Sequence, residues 1–100
     1  MSSAQGVDIM ILELLASREV REALFELMWG DRFEKDLLNK FSSKDMFYNI
    51  RDRLLNENLI YQFLGENETP YLSLTDKGIA VVNRLNEIER ILEGEDIDTE

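Results

Sequence analysis

The stretch Ser42-Ser-Lys-Asp-Met-Phe-Tyr-Asn-Ile-Arg-Asp-Arg-Leu-Leu-Asn-Glu-Asn-Leu-Ile60 decides the fold, because the period of its apolar residues changes inside it. Phe47, Ile50 and Leu54 recur at spacings of three and four, which places them on one face of a helix running to about Asn56, with Met46 at the margin. Two serines are available to start it: Ser42, with Asp45 three residues on, or Ser43 itself. A hydroxyl at the N-cap accepts from a backbone N–H that has no partner within the helix. Asn58 stands where the chain must leave the helix, and Asn is the non-glycine residue that best tolerates left-handed backbone there. Beyond it the period is two. Leu59–Leu64 (LIYQFL) and Tyr71–Leu74 (YLSL) are aliphatic and aromatic with alternation, joined by the polar run Gly65–Pro70, which is the pattern of a β-hairpin.

Upstream, Asp31-Arg-Phe-Glu34 reads as a capping box opening a short helix with Phe33, Leu37, Leu38 and Phe41 inward. Before it, Ser17 is the expected N-cap of a helix carrying Val20, Ala23, Leu24, Leu27 and Met28, one apolar stripe ended by Gly30. Val7–Ala16 (VDIMILELLA) is apolar around nearly its whole circumference, so it wants burial on most faces. The sequence leaves open whether Ser17 interrupts one long helix or separates two. Downstream, Thr75 caps a final helix from Asp76 to about Glu93, stopped by Gly94. In it Val81, Leu85, Ile88 and Leu92 follow spacings of 4, 3 and 4 as in a coiled-coil seam, with Ile79, Val82 and Ile91 alongside. Residues 1–6 and 95–100 are expected to be disordered. The expected architecture is one domain over residues 1–100, mainly α with a small β-hairpin (α+β), its outer helices 7–16 and 76–93 available for dimerisation. The interface residues are then Val7, Met10, Ile11, Leu14, Val81, Leu85, Ile88 and Leu92.

Composition narrows the chemistry. The chain has 100 residues, 11 Lys+Arg against 21 Asp+Glu, a net charge of −10, and neither His nor Cys. Without His the commonest general base and metal ligand are missing; without Cys there is no thiolate nucleophile, disulfide or zinc ribbon. No Ser, Lys or Tyr sits beside an identifiable base and no glycine-rich phosphate loop is present, so an enzyme is not expected. Glu93, Glu95, Asp96 and Asp98 match no calcium-loop spacing, and neither a metal nor a cofactor is expected. The longest uncharged apolar stretch, Ile9–Leu12, is far short of the ~20 residues of a membrane span, and Met1–Gly6 has no basic leader; a cytoplasmic protein without a membrane partner is expected.

Two segments carry a resemblance to a known class. Asn49–Ile60 resembles the end of the recognition helix in MarR-, HxlR- and PadR-like regulators, where an apolar residue, three variable residues, Leu and three more precede Gly-Leu-Ile/Val. Tyr71-Leu-Ser-Leu-Thr-Asp-Lys-Gly78 resembles the Tyr-x-Leu-Thr-x-x-Gly run leading from the second wing strand into the last helix, and Trp29-Gly-Asp-Arg-Phe33 is similar to the HxlR-type lead into the second helix. The likeness spans about residues 17–92. It implies a winged helix-turn-helix with extra terminal helices, in which the third helix enters the DNA major groove while the wing and helix N-termini hold the backbone.

With Phe47, Ile50 and Leu54 inward, the opposite face carries Lys44, Asp45, Tyr48, Asn49 and Asp52, flanked by Arg51 and Arg53. Ser42, Ser43, Lys44, Tyr48, Asn49, Arg51 and Arg53 are the expected DNA contacts, since Asn suits adenine while Arg and Lys suit phosphate or guanine. Asp45 and Asp52 repel phosphate unless each pairs or accepts from a cytosine amine. On the wing, Gln62, Asn67 and Thr69 can hydrogen-bond, but Tyr61–Thr75 has no Lys or Arg and carries Glu66 and Glu68. The acid is unevenly spread: residues 31–60 hold six basic and six acidic groups, whereas residues 61–100 hold three and ten. The expectation is a homodimeric, sequence-specific regulator of transcription on double-stranded DNA. The alternative is a winged-helix protein–protein interaction module with an acidic surface and little or no DNA binding.

Overall fold

The structure is a computed structural model that describes residues 11–94. A helical segment at 11–15 is followed by α1 (Arg18–Met28), β1 (Arg32–Phe33), α2 (Glu34–Leu38), α3 (Lys44–Asn56), β2 (Ile60–Leu64), β3 (Pro70–Leu74) and α4 (Asp76–Leu92). The expectations for residues 1–10 and 95–100, including those for Val7 and Met10, lie outside the described residues.

The local signals around the third helix act as the chemistry requires. Ser43 accepts from Met46 N at 3.1 Å and so caps α3, while Asn58 takes φ 62 just past its end. Thr75 caps α4 by accepting from Gly78 N at 2.9 Å, and its own hydroxyl donates to Asn58 O. Ser17 occupies the N-cap of α1 but its hydroxyl donates instead to Glu19 Oε1 at 3.0 Å. Its extended backbone, ψ 132, separates the 11–15 segment from α1. Arg21 then closes the end of the earlier segment by donating to the carbonyls of Leu15 and Ala16.

One element differs from the sequence reading. Asp31–Glu34 is not a capping box: Arg32 and Phe33 pair with Leu72 and Tyr71 as an antiparallel strand, and α2 begins at Glu34 with Phe33 at its N-cap and no side-chain cap. The hairpin is therefore part of a three-stranded sheet in the order β1-β3-β2, with β2 on β3 in the register Ile60↔Leu74 to Leu64↔Pro70. The reason is that β3 has a second edge whose backbone groups need partners. Phe33 accordingly lies on the Tyr71 ring, 4.5 Å between centroids, rather than among the helices.

The core gathers Val20, Ala23, Leu24 and Leu27 of α1, Leu37 of α2, Phe47, Ile50 and Leu54 of α3, then Leu59, Ile60, Leu72, Leu74 and Val82. Each such aliphatic or aromatic side chain stabilises by roughly 1.5–3 kcal/mol on burial. From α4, Val82 is buried in this core with Val81 and Leu85 packed half-buried against it, Gly78 lies close to Leu59, and an Arg21–Glu89 ion pair at 3.5 Å holds the helix further. The outer part of its apolar surface is open: Ile88 is 52% and Leu92 79% exposed. A groove of about 300 Å³ lies along it, lined by Leu12, Leu15, Leu85, Ile88 and Leu92. Ile11 and Leu14 on the neighbouring segment are half-buried.

Candidate nucleic-acid interface

α3 presents Lys44, Asp45, Tyr48, Asn49 and Asp52 to solvent, and Arg53 is half-buried. Ser42 and Ser43 are exposed at its start, but Ser43 is engaged by the cap and the Ser42 hydroxyl points at Met46 Sδ, 3.5 Å away. Lys44 and Arg53 form no ion pair among the described residues. Lys35 on α2 likewise has no carboxylate partner there; its ammonium lies 5.4 Å from the Phe33 ring centre. The other cations of the segment are committed: Arg32 and Lys40 both pair with Glu26, at 3.6 and 3.1 Å.

Arg51 and Gln62, two of the residues expected to face DNA, are brought together on one carboxylate. Glu34 is 7% exposed, the only charged side chain buried among the described residues. Its Oε2 accepts from Arg51 Nη1 at 2.9 Å and from the Gln62 amide. Arg51 also donates to Asp52 Oδ1 at 2.9 Å, and its guanidinium lies over the Tyr48 ring at 4.8 Å. Burial alone would lower the Arg51 pKa, but the hydrogen bonds and charges of Asp52 and Glu34 outweigh it and hold the group above the ordinary arginine value. One acid at the first residue of α2 thus ties α3 to the wing strand β2. Sequence reasoning misses both Glu34 and Lys35: by spacing Glu34 reads as part of a capping box, whereas with β1 paired to β3 it is buried at the start of α2.

The wing carries its remaining candidates differently. Asn67 is exposed in a tight turn over Glu66–Glu68, with φ 58, and Thr69 is half-buried, its carbonyl accepting from Gly65 N at 2.8 Å. Outside the turn the sheet has an aromatic ladder: Tyr61 and Phe63 are 6.0 Å apart, and Phe63 stacks on Tyr71 at 5.2 Å and 8°. Gly65 is required there, because a Cβ would sit 2.2 Å from Tyr71 Cε1. Among the described residues no group of three or more His, Cys, Asp or Glu is placed to hold a metal ion, and no helix is long and apolar enough to cross a membrane.

This arrangement of helices and wing recurs in solved structures. MepR of Staphylococcus aureus, a transcription regulator of the multidrug efflux pump MepA, superposes with a TM-score of 0.71 at 19% identity, over 89% of this chain and 69% of that one. YodB from Bacillus subtilis gives 0.69 at 19% identity, over 88% and 92%. A protein from Enterococcus faecalis V583, assigned to the MarR family of transcriptional regulators, gives 0.72 at 12% identity, over 93% and 87%. The fold is a winged helix-turn-helix. No protein-family model matches the sequence, and no curated protein does. At these identities the likeness concerns the winged-helix fold alone, so the function rests on the side chains that this winged helix carries.

Proposed function

We propose that the chain is a sequence-specific DNA-binding regulator of transcription, without catalytic activity, acting as a cytoplasmic homodimer with α3 in the major groove. The observation that carries this reading is the exposed face of α3, which combines Asn49 and Tyr48 at its centre with exposed Lys44 and half-buried Arg53, neither of which meets a carboxylate among the described residues. Asn supplies the donor–acceptor pair that matches adenine, and an unpaired cation supplies the phosphate contact. Lys35, at the start of the preceding helix, adds a third cation, lining one pocket together with Tyr48 of α3. Asp45 and Asp52 oppose this, so each protomer contributes modest affinity and two half-sites are needed. The open apolar edge of α4, with Ile88 and Leu92, supports a second copy as the source of the other half-site. A dimer of this kind sets its two α3 helices roughly 34 Å apart, one turn of duplex.

The test is binding to a randomised duplex, followed by fluorescence anisotropy at increasing salt. Retention that falls steeply with salt and selects an inverted repeat upholds the proposal; no retention at low salt refutes it. A second reading, a protein–protein module, is favoured by one feature: the wing has no basic residue, and its exposed β2 edge carries Tyr61, Phe63 and Leu64.

A further inference from the structure

The buried carboxylate of Glu34 lies where an uncompensated acid is costly, so its partners reveal its task. Of the six basic residues between positions 31 and 60, Arg51 is the one whose charge meets a buried acid, at 2.9 Å. It lies one turn after Tyr48 and beside Lys44 by helical phase, on the flank of α3 that turns toward the wing. Left unpaired at that place, an arginine is the commonest reader of guanine and a strong phosphate contact. Here its guanidinium is bonded to Glu34 and Asp52 and laid over the Tyr48 ring. The Gln62 amide of the wing converges on the same Glu34 oxygen.

We infer that Glu34 is the specificity-determining positioning residue of the interface: it withdraws Arg51 from DNA and fixes the wing against α3. This rests on the proposed role of α3 in the major groove. Recognition then falls to Asn49, Tyr48 and Lys44. Tyr48, held by Arg51 from behind, offers its ring edge to a thymine methyl, and Asn49 matches adenine, so half-sites rich in A·T are selected and no guanine is demanded by Arg51. Asp52, exposed and adjacent in sequence, holds Arg51 only weakly once Glu34 loses its charge. A neutral residue at position 34 therefore releases a cation toward the duplex.

The experiment compares wild type, E34Q, R51M and the double variant E34Q/R51M, each first shown to be folded by its circular dichroism and thermal transition. Two readouts follow, the slope of log affinity against log salt between about 50 and 200 mM on one fixed duplex, and the base pairs enriched from a randomised duplex pool. R51M is expected to leave the wild-type slope unchanged and to remove no G·C pair from the enriched sequence, because Arg51 makes no phosphate or guanine contact there. E34Q is expected to steepen the slope by about 0.9 per protomer, one added phosphate contact, or to enrich a new G·C pair in each half-site. The double variant removes that gain. If R51M flattens the wild-type slope, Arg51 already reaches DNA and the inference is overturned. An E34Q protein that only melts earlier, with slope and selected sequence unaltered, overturns it equally. If wild type binds no duplex at all, it is the DNA reading that has failed, and this inference falls with it.

Discussion

Replacing Gly78 by alanine is expected to destabilise the protein, against the usual rule. Alanine in a helix interior is favoured over glycine by about 1 kcal/mol, and Gly78 lies in the first turn of α4 with helical backbone. A Cβ at this position, however, would stand 2.0 Å from Leu59 O and 3.0 Å from its carbonyl carbon. The obstacle is backbone rather than the end of a flexible side chain. It is also pinned, since Leu59 O accepts from Thr75 N at 3.0 Å and Leu59 N donates to Leu54 O at 3.0 Å. Separating Cβ and oxygen to contact distance moves α4 by more than 1 Å and pulls on the pairing that joins the end of α3 to the start of α4. Overpacking of this kind costs roughly 1–3 kcal/mol, and a rigid obstacle belongs at the upper end. Set against a gain of about 1 kcal/mol from helix propensity, the net loss is about 2 kcal/mol, or a Tm lower by roughly 8–16 °C for a domain of this size. Urea unfolding at fixed protein concentration measures it, with Ala80→Gly on the exposed face of the same helix as the control expected to cost about 1 kcal/mol. A Gly78→Ala protein as stable as wild type would refute the close approach of α4 to Leu59.

Lys44→Ala is expected to weaken binding to all duplexes alike and to make the salt slope shallower by about 0.9 per protomer; an unchanged slope removes Lys44 from the interface. Ile88→Glu with Leu92→Glu is expected to give a folded monomer in light scattering at tens of micromolar, because both side chains are exposed in the isolated chain and neither supports its core. A dimer that persists in that variant rejects the α4 seam. Glu19 is held below the ordinary carboxylate value of 4.5, first by a backbone hydrogen bond and then by the Ser17 hydroxyl. Its contribution is therefore complete above about that pH and is lost as pH falls through the lower folded value. Ser17→Ala is expected to move the Glu19 midpoint upward in an NMR titration, and a stationary midpoint would show that the hydroxyl plays no part.

What the chain order alone determined is what local physics controls. The change of period between Leu54 and Ile60, the caps at Ser43 and Thr75, and the left-handed Asn58 depend on neighbours a few residues away, and each is where its residue type requires. The same holds for the inward stripe Phe47, Ile50 and Leu54, and for the apolar excess on the last helix. The tertiary structure decided matters in which distant segments compete for one group. Arg32 and Phe33 read as the first turn of a helix, yet they pair with Leu72 and Tyr71, because an unpaired sheet edge outweighs a short capping motif. That pairing turns Glu34 inward, where it collects Arg51 from α3 and Gln62 from β2. Helical phase put Arg51 at the border of the outward face, and no periodicity could tell which way a long side chain there would turn. The same limit applies to charge. A net −10 says little about DNA until the structure separates cations held by carboxylates, such as Arg32, Lys40 and Arg51, from Lys44 and Arg53, which meet none among the described residues. Counting charges needs only the sequence, whereas knowing which of them are available needs the distances between them.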